Sequence, residues 1–235
     1  MARFQRLHIE LDVAEGKALL SQVLDLSPVD SHVYQGALLT LSTATISQSM
    51  QVPGLPQTEE DDVDVDEEIL QMAEFVLQRT SRQDPSAHAL SVKVGTLLRD
   101  RSHRLGDLAD IERSIAMLED AVQLTPDSHR DKPSRLNNLS SSLLARFDLL
   151  GDPVDIHKSI SMRENALRLI LPGHPDKPSW LNDLGNLLLR RYKRLGDLAD
   201  IGTSISRLEE VVELTSDGHP NKPTMLSNPG SALST

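Results

Sequence analysis

The heptapeptide Leu-Gly-Asp-Leu-Ala-Asp-Ile at residues 105–111 returns as Leu-Gly-Asp-Pro-Val-Asp-Ile at 150–156 and unchanged at 195–201, so each copy starts 45 residues after the previous one. A second phrase keeps the same step: Asp-Lys-Pro-Ser at 131–134 and 176–179, and Asn-Lys-Pro-Thr at 221–224. Two independent markers on one period indicate stacked copies of a single supersecondary unit. The sequence therefore predicts a repeat architecture.

The heptapeptide has the chemistry of a tight turn between two helices. Pro153 fits the first position of a helix, because the N–H that proline lacks has no partner there. The residue before it is then the N-cap, and it is an aspartate in all three copies: Asp107, Asp152 and Asp197. The glycine before each aspartate suits the left-handed conformation that ends many helices. The phrase thus predicts an antiparallel helix pair joined by two residues.

Apolar residues at helical spacing define both helices of each pair. The second helix carries a stripe that begins at residues 69, 114, 159 and 204, which predicts four copies, the earliest over 66–80. The first helix is predicted over 90–104, 134–149 and 179–194. One register position of this helix holds a very small residue, which allows close approach of its neighbour: Gly95, Ser140 and Gly185.

Composition excludes several classes of function. The chain has no cysteine, so it forms no disulfide, no thiolate metal site and no cysteine nucleophile. Eight acidic residues at 59–68 supply most of the net charge of −11, and no basic stripe suited to nucleic acid stands out. No apolar run approaches the roughly 18 residues that cross a bilayer. We predict an intracellular, cytoplasmic protein with no nucleic-acid or membrane partner.

The chain divides into three predicted regions. Residues 1–58 form a separate N-terminal segment with one or two helices, and 59–68 form an acidic linker. The repeat array is predicted over 66–235. It stops midway through the first helix of a further repeat, where Pro229-Gly230 stand at the position of Leu184-Gly185.

The repeat pattern resembles the tetratricopeptide repeat (TPR), on Leu184-Gly185 in the first helix and Ser204, Leu208 and Val211 in the second. The usual repeat has about 34 residues; the step of 45 is similar to the long repeats of kinesin light chains and of fungal TPR arrays. The resemblance implies an all-α fold, a right-handed α-solenoid of antiparallel helix pairs. It also implies a non-catalytic protein–protein interaction scaffold that binds a peptide or helix in a concave groove.

The resemblance places the groove along the first helix of each repeat. The candidate groove residues are Thr96, Asn137, Ser141, Asn182 and Asn186, together with the recurring Arg101, Arg146 and Arg191. An asparagine amide both donates and accepts, so it can bind the backbone of a peptide whatever its side chains. For the arginines two interpretations stay open: a basic ladder along one edge, or cations at helix C-termini that pair with acids of a neighbouring repeat.

No motif or cluster in the sequence predicts catalysis, a metal or a cofactor. His129, His174 and His219 recur with the repeat, but equivalent positions of stacked helix pairs lie about 10 Å apart, and metal ligands sit at about 2 Å. We expect these histidines to serve loop structure. Two alternatives to the scaffold remain: a sensor part of a larger enzyme or signalling protein whose catalytic domain lies outside this chain, and a degenerate gene product without function.

Overall fold

The computed structural model describes residues 70–215, apart from 72, 79, 81–84 and 172. The predicted N-terminal segment, the acidic linker and the interrupted last repeat lie outside the described residues. So does His219.

The described residues form helices joined by turns and contain no strand, which confirms the all-α prediction. Residues 70, 71 and 73–78 are helical where the early copy of the second helix was predicted. Six further helices follow: α1 (Pro85–Leu105), α2 (Leu108–Gln123), α3 (Lys132–Leu150), α4 (Pro153–Leu169), α5 (Lys177–Leu195) and α6 (Leu198–Leu214). They fall into two compact units that divide after Leu124, with α1 and α2 in the first and α3 to α6 in the second.

The first helices begin earlier than predicted. Instead of residues 134 and 179, α3 and α5 start at Lys132 and Lys177. Pro133 and Pro178 sit in the first turn, where a missing N–H costs nothing. The second helices start as predicted, at the residue after each capping aspartate.

The turn between the helices of a pair follows the predicted chemistry. The three turn glycines are left-handed, with φ of 71° at Gly106, 70° at Gly151 and 78° at Gly196. In the turn of the second unit's first pair, Asp152 accepts a hydrogen bond from the backbone N–H of Val154 at 2.9 Å. The other two capping aspartates make the equivalent bond at 2.8 and 3.0 Å. Each such cap stabilises its helix by about 1 kcal/mol.

A serine on the second helix ties each pair together. Its Oγ donates to the backbone carbonyl of the small residue on the first helix, across 19 residues in every pair. The three bonds run from Ser114 to Gly95, from Ser159 to Ser140, and from Ser204 to Gly185, at 2.6, 2.8 and 2.8 Å. Such a bond requires the helix backbones to lie close together, which is why the register position holds glycine or serine.

The core of the second unit shows how successive pairs stack. Phe147 of α3, Ile156 and Ile160 of α4, and Leu184 and Leu188 of α5 form one buried cluster. Helix α4 therefore packs against both first helices of this unit. Burying a side chain of this size contributes about 1.5–3 kcal/mol, so the stacked repeats stabilise each other.

Candidate functional site

A polar row runs along the partly exposed face of each first helix in the second unit. On α3 it consists of Asn137, Asn138, Ser141 and Asp148, and on α5 of Asn182, Asp183, Asn186, Arg190 and Lys193. The spacing of three to four residues keeps each row on one face of its helix. The two rows lie on the same side of the unit, because Arg190 of α5 forms an ion pair with Asp148 of α3.

The structure brings four of the eight predicted site residues into these two rows. They are Asn137, Ser141, Asn182 and Asn186, all partly buried. Thr96 and Arg101 belong to α1, in the other unit. Arg146 and Arg191 lie in the last two turns of α3 and α5, outside the rows.

The two predicted hydroxyl residues bond back to their own helices. Thr96 Oγ1 donates to the carbonyl oxygen of Val92 at 2.9 Å, and Ser141 Oγ donates to the carbonyl oxygen of Asn137 at 3.1 Å. A hydroxyl has one proton. Neither residue therefore has a donor left for a ligand, and each can only accept.

The three recurring arginines are all paired with acids of this chain. Arg101, Arg146 and Arg191 each bind both carboxylate oxygens of an aspartate nine residues later. The aspartates are Asp110, Asp155 and Asp200, whose side chains are at most 4% exposed.

These ion pairs join the two helices of a pair next to the turn. Both nitrogen–oxygen distances of the Arg191–Asp200 pair are short, at 2.7 and 2.6 Å, and its hydrogen bonds raise the pKa of Arg191 above the ordinary value. The acid belongs to the second helix of the same pair, not to a neighbouring repeat. A forked pair of this geometry locks the two helices in register across the turn.

A residue that sequence reasoning did not single out connects the two rows. Arg163 of α4 has a side chain only 3% exposed, yet its guanidinium reaches both first helices of the unit. It donates to Asn137 Oδ1, to Ser141 Oγ at 3.2 Å and to Asp183 Oδ2 at 3.0 Å. The buried cation thus lies beneath the polar rows and hydrogen-bonds to three of their members.

The sequence did carry a signal for Arg163. The equivalent residues of the other two pairs are Leu118 and Leu208, both fully buried. Where arginine replaces this leucine, Ser140 also replaces the glycine found at 95 and 185. The equivalent residues face each other in the other two pairs. The pair formed by α3 and α4 therefore differs from the repeat at two positions that lie opposite each other.

His129 and His174 each hold a loop through a backbone hydrogen bond. His129 Nδ1 accepts the backbone N–H of Asp131 at 3.1 Å, and His174 Nδ1 accepts that of Asp176 at 3.2 Å. Among the described residues no group of three or more His, Asp or Glu side chains could hold a metal ion. In the same part of the chain no helix has the length and apolar character needed to cross a membrane.

Antiparallel helix pairs that recur on a 45-residue period define a helical-repeat fold. Comparison with solved structures agrees on the fold. A putative kinesin light chain of Podosopora anserina with nearly identical TPR-like repeats superposes with a TM-score of 0.60 at 13% identity, covering 84% of this chain and 87% of that one. A variant of the same Podosopora anserina protein gives a TM-score of 0.59 at 12% identity, with 88% of each chain covered.

Comparison of the amino-acid sequence alone identifies no related protein. No protein-family model matches the chain, and no curated protein matches it. The likeness is therefore one of fold.

Proposed function

We propose that this chain is a non-catalytic protein–protein interaction scaffold and that the polar rows of α3 and α5 bind an extended peptide. One observation carries the proposal: the Asn137 amide is held in place by a buried arginine that the packing of the repeat does not require. The same arginine binds Asp183 of the neighbouring helix. A polar network of this kind rigidifies the groups it contains when its members are hydrogen-bonded.

The spacing of the amides suits a peptide backbone. Asn182 and Asn186 lie one turn apart on α5, about 5.4–6 Å along the helix. Asn137 occupies the position on α3 that Asn182 occupies on α5. In an extended strand, main-chain groups on one side repeat every two residues, at about 6.8 Å. Amide side chains with this separation can bind successive main-chain groups of one segment.

The charge of the surface favours a ligand without strong charge. Arg163 is paired with Asp183, and Arg190 with Asp148, so only the exposed Lys193 at the end of the α5 row adds a net charge. Neutral amides then provide the contacts. We therefore propose that recognition is by hydrogen bonds to the peptide main chain more than by salt bridges to its side chains.

The proposal is tested with a peptide selected from a random phage-displayed library on the full 235-residue chain. Fluorescence polarisation then compares the wild type with Asn137→Ala/Asn182→Ala. Loss of two hydrogen-bonding amides is expected to weaken binding by about tenfold or more. Asn165→Ala is the matched control, because Asn165 lies on α4 and accepts a hydrogen bond from Arg168. Equal affinity for all three proteins, or no selected peptide, contradicts the proposal.

A further inference from the structure

We propose that Arg163 determines the specificity of the polar rows: it fixes Asn137 as a hydrogen-bond donor, so the site selects main-chain carbonyl groups of a peptide. This inference rests on the proposed function. It goes beyond that function by naming the atoms that the site recognises and the buried residue that imposes the choice.

The orientation of Asn137 follows from the chemistry of its partner. A guanidinium has five N–H donors and no acceptor. The atom of Asn137 that faces Arg163 must therefore be the carbonyl oxygen, as the bond from Arg163 Nη1 to Asn137 Oδ1 shows. The other branch of the Asn137 side chain is then the amide nitrogen, which can donate two hydrogen bonds. Without the arginine the amide could rotate and present either atom.

The groups next to Asn137 favour the same ligand atom. Ser141 cannot donate to a ligand, because its proton goes to the backbone of Asn137. Asp183 lies 3.0 Å from the guanidinium, which balances the positive charge of Arg163. A ligand carboxylate therefore meets a charge that is already neutralised, with the carboxylate of Asp183 close by. A neutral carbonyl oxygen is the acceptor that this arrangement favours.

Packing does not explain the arginine. Leu118 and Leu208 fill its register in the other two pairs and are fully buried. Burying the guanidinium costs desolvation, and its partner Asp183 is 44% exposed, so the ion pair offsets only part of that cost. A leucine here, with glycine at position 140 as in the other two pairs, would meet the needs of the fold without burying a charge. Arg163 is thus better explained by the three row residues that it binds.

The other two pairs also supply a test variant that is expected to fold. Ser140→Gly/Arg163→Leu gives this pair the residues that its neighbours already contain. The chain is expected to keep its helical circular dichroism and to unfold at an equal or higher urea concentration. It is expected to bind the selected peptide about tenfold more weakly or worse, since an oriented hydrogen bond is lost. In the free protein, the side-chain amide resonances of Asn137 should shift.

Two further variants separate orientation from charge. Arg163→Lys keeps the positive charge but lacks the planar fork that reaches three partners, so it is expected to lose affinity as well. Arg207→Met is the matched control. It introduces the methionine found at the equivalent positions 117 and 162, and Arg207 pairs with Glu210, away from the rows. This control is expected to bind like the wild type.

A thioamide scan of the selected peptide tests the atom that is recognised. Replacing one carbonyl oxygen at a time by the weaker acceptor sulfur should reveal a position that reduces affinity for the wild type but not for Ser140→Gly/Arg163→Leu. If that variant binds like the wild type while Asn137→Ala/Asn182→Ala does not, the inference is wrong and the proposed function stands. Full binding by Arg163→Lys, or unfolding of the double variant, also overturns the inference. If no peptide binds through the asparagines, both proposals fall.

Discussion

The Cβ atom that Gly185 lacks would lie 2.8 Å from Cγ of Leu208, closer than two such carbons can stand. The same relationship recurs in the first unit, where a Cβ on Gly95 would lie 3.0 Å from Cγ of Leu118. In the pair between them along the chain, Ser140 carries a side chain because Arg163 replaces the leucine. In each helix pair, the distance between the two helices is therefore set by one residue on the first helix and the residue that faces it on the second.

We expect Gly185→Ala to destabilise the protein by about 1–2 kcal/mol. Overpacking costs about 1–3 kcal/mol, and the better helix propensity of alanine returns at most about 1 kcal/mol of this. Gly202→Ala is the matched control, because Gly202 also lies in a helix but has no atom within 4 Å of its added Cβ. It should stabilise the protein slightly. Urea unfolding followed by circular dichroism measures both; equal effects of the two variants would contradict the packing argument.

Ser140 and Arg163 should show strong energetic coupling. Arg163→Leu alone places a branched carbon against the Ser140 side chain, and it is expected to destabilise the protein. Adding Ser140→Gly removes that contact and should recover the loss. The double-mutant cycle in urea unfolding is expected to give a coupling free energy of about 1–3 kcal/mol. Additive effects would show that the two residues do not compensate each other.

Much of the fold could be predicted from the sequence, because its signals are local. Gly151 and Asp152 are adjacent, and each does what its own chemistry favours: the first is left-handed and the second caps α4. The start of α3 carries no such local signal, because Asp131 precedes the helix without making a side-chain capping bond. Pro133 lies in its first turn, so the helix begins before the proline.

The candidate site was predictable only in part, because its geometry is not local. The Asn137 and Asn182 positions follow from the repeat register. That Ser141 turns its proton back to its own helix depends on a rotamer, which no spacing reveals. The bond from Arg163 to Asp183 joins neighbouring repeats and becomes visible only when they are stacked. The departure of residue 163 from the leucine at 118 and 208 was nevertheless readable beforehand.

Arg146→Ala should be among the most destabilising changes outside the apolar core. It leaves the carboxylate of Asp155, which is 2% exposed, without its forked partner. Removing one member of a buried pair costs about 3–5 kcal/mol, and partial exposure of Arg146 places the expected loss near the lower end. Arg190→Ala breaks a pair whose side chains are both about half exposed, and it should cost less than about 1 kcal/mol. Thermal unfolding compares the two; similar losses would refute the assigned role.

The ion pair at the far end of α5 and α6 should make stability depend on pH. Lys177 Nζ lies 2.8 Å from Glu210 Oε1, and this hydrogen bond lowers the pKa of Glu210 below its ordinary value of about 4.3. A carboxyl whose pKa is lower in the folded state stabilises it above the unfolded pKa and loses that contribution as pH falls through the folded pKa.

The corresponding measurement compares the wild type with Glu210→Gln in urea unfolding at several pH values. The wild type should be more stable at pH 7 by less than about 1 kcal/mol, because the pair is partly exposed. The difference should shrink below about pH 4. A difference that stays constant with pH would rule out the ionised pair as its source.

The most direct test of the peptide-binding account is an NMR titration of the full chain with the selected peptide, following the side-chain amide resonances of asparagine. The account predicts that those of Asn137 and Asn182 shift and saturate together at the affinity measured by fluorescence polarisation. The amide of Asn165, on α4, should stay in place. Saturable binding that moves Asn165 or the backbone elsewhere, while leaving Asn137 and Asn182 unchanged, would contradict it.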